Sequence, residues 1–337
     1  MKLSIVIPAY NAEKYIETCL ESCVTQDMDA TDYQILVVND GSTDSTENIV
    51  LDMGKSHPNI SIIHQENKGN GAARNTGVEH AIGNYILFLD ADDYVAYNTF
   101  GTLMQMLEEH DLDLLGFSSK NVTDSSETKS QHSADEVQMD AVVNGIDFIG
   151  TYNYKAEVWW YFAKREFYNS SGTFFYDRKF VQDSYLTPTL FSKAKKSAFV
   201  NYDIHRYRKS PNSITRNKSV NHLNQHFQDL SFSVKKLFEL RKKLIAAGIT
   251  NMDALGRLHV KQQRYVFIII VRFIKSNIDA DQLRQMLKSF ESLEAYPMDK
   301  FMSISDYRSP AYQLLTFIFN RSYLLYPAIK LFRIIRR

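Results

Sequence analysis

Leu3-Ser4-Ile5-Val6-Ile7-Pro8-Ala9-Tyr10-Asn11 opens with a short apolar run, rich in β-branched residues, that a proline stops before an aromatic and an amide. A run without polar alternation reads as a strand covered on both faces. Tyr33 to Val38, Ile60 to Ile63, Tyr85 to Leu89 and Leu112 to Phe117 repeat the plan. Between them the apolar spacing turns helical: Ala12 to Thr25 through Tyr15, Ile16, Cys19, Leu20 and Cys23, then a helix capped by Ser42 or Thr43 and running to about Lys55, then Gly71 to Ala81 and Thr99 to Glu109. Continuously apolar strands separated by helices predict an α/β fold, a mostly parallel sheet flanked by helices. Such sheets bind ligands beyond the carboxyl ends of their strands.

Four strand-end loops hold more polar chemistry than turning requires. Pro8-Ala9-Tyr10-Asn11 follows the first strand and Asn39-Asp40-Gly41-Ser42-Thr43-Asp44 the second. Glu66 to Asn75, with Lys68, Gly69 and Arg74, follows the third, and Asp90-Ala91-Asp92-Asp93 the fourth. An Asp-Gly-Ser-Thr segment alone is commonly a turn with a helix cap. Three carboxylates crowded at the end of a buried strand repel unless a cation or hydrogen-bond donors neutralise them. A hard divalent ion with oxygen ligands, Mg²⁺ or Mn²⁺, answers that need and is normally completed by ligand phosphates. Helix N-termini, Lys68 and Arg74 complement the same anion. The four loops together predict a nucleotide-diphosphate site with a divalent metal.

The 337 residues, 44% hydrophobic with 13 Gly and 7 Pro, are enough to bury a real core, so disorder and low-complexity classes are excluded. Thirty-nine basic and 39 acidic residues cancel, which argues against a generic nucleic-acid binder. The balance hides an asymmetry. Met1 to Ser118 holds 5 basic and 19 acidic residues, net −14, and the remainder is net +14. A basic half calls for a polyanion, a phosphate or an anionic membrane, or is a solvated uneven surface. Cys19 and Cys23, four apart on a helix, have poor disulfide geometry and read as free thiols of a reducing compartment. No signal-peptide pattern opens the chain, and Val266 to Val271, the longest apolar run, falls far short of a spanning helix. The expected location is cytoplasmic, soluble or surface-bound at the inner face of the membrane.

Ser4-Ile5-Val6-Ile7-Pro8-Ala9-Tyr10-Asn11, Val38-Asn39-Asp40-Gly41-Ser42-Thr43-Asp44, Asn67 to Gly77 and Phe88-Leu89-Asp90-Ala91-Asp92-Asp93 resemble, in order and spacing, the successive signatures of family 2 glycosyltransferases with the GT-A fold. The likeness continues more loosely through Phe180-Val181-Gln182-Asp183 and Tyr207 to Thr215. The resemblance implies a metal-dependent inverting transfer from a nucleotide-diphosphate sugar, UDP favoured, to a glycan hydroxyl in bacterial surface polysaccharide synthesis. Pro8, Ala9, Tyr10 and Asn11 then border the nucleotide, with Tyr10 against the base and Asp40 accepting from a base N–H. Lys68 and Gly69 follow around the same ligand, and Arg74 either joins them or supports the loop through the acidic cluster. Asp90-Ala91-Asp92 matches the DXD motif, Asp90 toward ribose and Asp92 on the metal. Asp93 and His205 stand as further metal-shell candidates. Asp183 matches the catalytic base, although Gln182 replaces the family's usual Glu. Trp159 and Trp160 are candidates for stacking on an acceptor sugar.

Asn121 to Asp135, rich in Ser, Thr, Asp and Glu, reads as a mobile loop, and the chain from about Val220 onward as helices. We place a GT-A domain at 1–217, with a nucleotide-sugar half at 1–117 and an acceptor and base half at 118–217, and a helical region at 218–337. Arg257, Lys261, Arg264, Arg272 and Lys275 share a helical face, and Leu325, Ala328, Ile329, Phe332 and Ile335 share a stripe beside Lys330, Arg333 and Arg337. Such basic amphipathic helices rest on anionic membranes or pack on their own core. A membrane-resting tail fits a lipid-linked acceptor. The competing classes are a non-catalytic scaffold on the same fold and a sugar-nucleotide nucleotidyltransferase. The latter calls for a Gly- and Lys/Arg-rich loop where Ala9-Tyr10-Asn11 stands. No G-x-G-x-x-G follows the first strand, which disfavours a dinucleotide oxidoreductase.

Overall fold

The computed structural model describes residues 1–176, 181–209, 220–276, 278–299 and 309–335. Phe180, Ser210 to Thr215, Asn217, Arg336 and Arg337, all used in the sequence reading, lie outside the described residues. The chain divides into two compact units, 1–148 with 154–217, and 149–153 with 218–337.

In the first unit, elements alternate as the apolar runs require: β1 (Leu3–Ala9), α1 (Ile16–Val24), β2 (Tyr33–Asn39), α2 (Thr46–Ser56), β3 (Ile60–His64), α3 (Asn70–His80), β4 (Tyr85–Phe88), β5 (Tyr94–Val95), α4 (Phe100–His110) and β6 (Leu114–Val122). After α5 (Gly145–Thr151) come β7 (Tyr161–Lys164), α6 (Arg165–Ser170), α7 (Asp183–Phe191) and β8 (Ser197–Arg208). One sheet runs in the order β3-β2-β1-β4-β7-β6-β8-β5. Strands β1 to β4 are mutually parallel, and every residue of β1 and β2 is buried, which is the condition that forbids polar alternation. Strand β7 enters antiparallel between β4 and β6, so the sheet is mixed. Residue 117, expected to end the nucleotide half, lies inside β6, and the sheet continues through it.

Two local expectations are corrected. Helix α2 begins at Thr46, and Ser42 and Thr43 bind Asn11 of the first loop instead of capping it. The Asn121 to Asp135 segment is not loose. Arg206, fully buried, donates Nε to the Glu127 carbonyl at 3.0 Å and Nη2 to the Lys129 carbonyl at 2.6 Å, while the Tyr97 amide donates to the Thr128 carbonyl. One guanidinium thus supplies the donors that a ladder would otherwise give these carbonyls. Cys19 and Cys23 are buried and free, as expected of a thiol pair on α1.

The second unit is helical: α8 (Val220–Ala246), α9 (Met252–Ile274), α10 (Ala280–Ser292), α11 (Pro310–Phe319) and α12 (Ser322–Ile335). Of the two readings of the α9 basic face, the structure supports packing on its own core. Lys261 is buried along with Val260, Gln262, Gln263 and Tyr265, and Arg257 donates to the Gly150 carbonyl, so α9 is a core helix. No helix among the described residues is long and apolar enough to cross a membrane.

Candidate active site

The strand-end loops of the first unit meet and tie one another down. The Asn11 amide donates to Ser42 Oγ at 3.1 Å, and Asn11 Oδ1 accepts from the Thr43 amide at 2.8 Å, with Asn11 itself at φ 49°. Tyr10, beside it, is 53% exposed, an unusual position for a ring this size unless something covers it. Pro8 and Ala9, by contrast, are buried in the strand end.

Asp40 is buried and holds the third loop. Its Oδ1 accepts from Gln65 Nε2 at 2.7 Å and from the Lys68 amide at 2.9 Å, and its Oδ2 accepts from the Gly69 amide at 2.8 Å. Three of about four acceptor positions are therefore filled. That leaves room for one more donor. Gly69 sits at φ +90°, a region other residues enter only with strain, and this turn delivers the first amides of α3. Lys68 is exposed, and among the described residues no carboxylate pairs with it. A Cβ on Gly71 would stand 2.2 Å from Gln182 Nε2, so the small residue lets α3 begin directly against the start of α7.

That approach assembles the central ion network. Arg74, on α3 and buried, donates Nη2 to Asp90 Oδ1 at 2.6 Å and Nη1 to Asp183 Oδ1 at 3.3 Å. Burial alone would lower the guanidinium's affinity for its proton, but Asp90 and Asp183 outweigh it and hold Arg74 above its ordinary value. Phe175 lies 5.2 Å from the guanidinium and is gripped by both amide atoms of Asn75, at 2.8 and 3.0 Å. Asp183 is the first residue of α7, where the helix dipole favours an anion. Even so, burial pushes its carboxyl up to about 6, with Arg74 opposing and Asp90 reinforcing the rise. A carboxylate at about 6 accepts a proton far better than an exposed one and is still ionised at pH 7.

In the acidic loop, burial pushes Asp92 up to about 7, and Asp90 and Asp93 add to it. Asp93 is more enclosed. Its Oδ1 accepts from the Arg208 amide at 2.8 Å, and its Oδ2 lies 3.1 Å from His205 Nε2, out of hydrogen-bond alignment. Burial raises Asp93 and lowers His205 to about 3, so both favour their neutral forms. His205 Nδ1 lies 3.1 Å from Ser119 Oγ, and Trp159 stacks on the ring at 3.9 Å. The imidazole, held by Ser119 at Nδ1 and by Trp159 on its face, turns toward Asp93 an Nε2 that has no aligned hydrogen bond among the described residues. Among the described residues no three His, Cys, Asp or Glu are arranged to hold an ion alone. Asp90, already paired with Arg74, and Asp92, which it repels, are part-exposed and fit a hard divalent ion only as a site shared with ligand phosphates.

Arg208 adds a cation on the other side of this loop. Its guanidinium lies 5.0 Å from the Tyr15 ring and 5.5 Å from the Tyr94 ring, and its buried Nε has no hydrogen-bond partner among the described residues. Of the tryptophans, Trp160 stacks on Phe191 at 5.4 Å and donates Nε1 to the Lys155 carbonyl, which corrects it from acceptor contact to core. Trp159 is buried too, but Lys155 Nζ stands 4.8 Å over its ring, at the edge of the same stack as His205 and Tyr207.

Comparisons with known proteins bear on the family and the fold. The uncharacterized glycosyltransferase EpsJ of Bacillus subtilis (strain 168) is 30% identical over 233 residues, covering 67% of this chain and 66% of EpsJ, so the chain spans just under two-thirds of that relative. The crystal structure of Staphylococcus aureus TarS 1–349 in complex with UDP-GlcNAc superposes with a TM-score of 0.70 at 18% identity, over 94% of this chain and 87% of that one. Mannosyltransferase PcManGT from Pyrobaculum calidifontis, in complex with GDP-Man and Mn²⁺, superposes at 0.52 and 16% identity, over 95% and 86%. Residues 4–184, from the first strand through the start of α7, match the profile described as glycosyl transferase family 2. With the ordered strand-end loops and the GT-A fold, that match makes the chain a member of glycosyl transferase family 2.

Proposed function

We propose that the chain transfers one sugar from a uridine-diphosphate donor to a hydroxyl of a glycan acceptor, with inversion, and that the acceptor is a lipid-linked intermediate of bacterial surface polysaccharide at the inner membrane face. The observation that carries the reading is the Asp90–Arg74–Asp183 bridge, which couples the acidic loop of the donor site to a part-buried carboxylate at about 6. Tyr10 covers the base, Asp40 offers its remaining acceptor position to a base N–H, and the Lys68–Gly69 turn with the α3 N-terminus borders the diphosphate. Asp90 takes the ribose side. Asp92 would hold Mn²⁺ or Mg²⁺ together with the diphosphate, and such an ion would neutralise charge on a departing diphosphate. Arg208 adds a fixed cation near the same oxygens. Asp183 takes the proton from the acceptor hydroxyl, and that oxygen displaces the diphosphate from the anomeric carbon in one step, which inverts it. Trp159, through its edge beside Lys155, borders the acceptor. The UDP-GlcNAc bound by TarS and the Mn²⁺ bound by PcManGT are what those relatives hold, and they support this choice of donor and ion.

Nucleotide binding tests the donor assignment. UDP at a hundred times its dissociation constant adds roughly 2.7 kcal/mol of apparent stability. That amounts to about 5 to 11 °C in the unfolding midpoint at ~2 to 4 °C per kcal/mol. The expected result is a Mn²⁺-dependent upward shift with UDP that GDP and CMP do not match and that Asp92→Ala removes. Equal shifts with all nucleotides would reject the uridine assignment.

A further inference from the structure

Helices α11 and α12 turn an apolar face outward. On α12, Tyr323, Lys330, Leu331 and Ile334 fall within one arc of about 100°, opposite the fully buried Leu325 and Ile329. Leu331 and Ile334 are 59% and 61% exposed. On α11, Leu314, 60% exposed, and Leu315 form a second outward row, with Phe317 exposed beside them, while Thr316 and Phe319 are buried. Exposed apolar residues gathered on adjoining helices mark a surface that meets something. At 10 and 14 residues, neither helix can span a bilayer.

Charge decides the occupant. From Ser309 to Arg337 the sequence contains no Asp or Glu and five cations: Arg321, Lys330, Arg333, Arg336 and Arg337. Lys330 is exposed in the same arc as Leu331 and Ile334, and Arg321 lies against the Phe317 ring at the turn between the helices. Arg333 instead donates to the Ile278 carbonyl at 2.7 Å and fastens α12 within its own unit. A second copy of this face would set cation against cation with no acid to relieve them. An anionic lipid surface meets both requirements at once, taking the apolar row among its acyl chains and the cations among its headgroups.

We propose that the α11–α12 pair lies flat on an anionic bilayer, inserting Leu314, Leu315, Leu331 and Ile334 and setting Lys330 at the headgroups. The proposal does not depend on the sugar chemistry, because neither helix carries a residue assigned to transfer.

The test is sedimentation of the full chain with phosphatidylcholine vesicles, with and without phosphatidylglycerol, at low and high salt. Wild type is expected to pellet with the anionic vesicles only, and less so at high salt. Lys330→Ser is expected to lower the partition coefficient about five-fold. Leu331→Glu with Ile334→Glu is expected to abolish pelleting while leaving the thermal midpoint and Mn²⁺–UDP binding unchanged. Equal pelleting with neutral and anionic vesicles, none with either, or full binding by the double variant would each overturn the proposal. So would a wild-type dimer in light scattering that the double variant turns into a monomer, since the face would then belong to a second copy.

Discussion

Asp183→Asn is expected to lower the rate of sugar transfer by roughly 10² to 10⁴ while leaving Mn²⁺–UDP binding intact. The amide keeps the side chain's shape and its contact with Arg74 but cannot take the acceptor's proton. Loss of binding alongside rate would instead mean that Asp183 works only through the loops. The pH dependence carries the same information with a definite sign. Because the carboxyl is held at about 6, above the ordinary 3.8, it is protonated and inactive below that value and ionised above it. Initial rates with wild type should rise tenfold per pH unit below pH 6 and level off above it, whereas the residual rate of Asp183→Asn should lack that limb. Stability moves the other way. Protonation favours the folded chain at low pH, and the contribution of Asp183 is lost as pH rises through 6.

Arg74→Met should be the most damaging single change to the fold of the site. The methionine keeps much of the stem but leaves Asp90 and Asp183 facing each other without the buried cation that holds them at 2.6 and 3.3 Å. Removing one partner of a buried ion network costs about 3 to 5 kcal/mol, and the lower figure applies here because both carboxylates are about a quarter exposed. About 3 kcal/mol lowers the unfolding midpoint by roughly 6 to 12 °C. Activity should fall further than stability explains. Without Arg74 the Asp183 carboxyl rises above 6, so the break in the pH–rate profile should move up. Arg74→Lys should recover part of the stability but not the rate, since one ammonium cannot reach two carboxylates in the fixed fork of a guanidinium. An Arg74→Met protein with wild-type midpoint and pH profile would remove the bridge from the account.

Much of the fold was legible because its strands announce themselves. The apolar runs of β1, β2 and β4, interrupted only by Ser4 and Gln34, exist because both sheet faces are covered, and their polar endings marked the loops that meet in space. What stayed hidden depends on pairing across long separations. Nothing around Tyr161 to Lys164 says that this strand inserts antiparallel between β4 and β6. Arg74 and Asp183 are 109 residues apart, and only the missing Cβ of Gly71 beside Gln182 hints that their helices start against each other. The segment after β6 looked loose because its fastening is a single arginine some 80 residues later, whose donors replace a ladder no local pattern would reveal. His205 and Asp93 were each legible as polar residues near a strand end. That they face each other under Trp159 was not.

The central claim is single-displacement transfer from a uridine-diphosphate sugar at this strand-end site. Its most direct test is to incubate the protein and Mn²⁺ with α-configured UDP-sugars and a bacterial lipid-linked glycan fraction, and to read the new linkage by mass and NMR. The account predicts a gain of one sugar, a β linkage and stoichiometric UDP with wild type, and none of these with Asp183→Asn. An α-linked product, or equal transfer by wild type and Asp183→Asn, would contradict it.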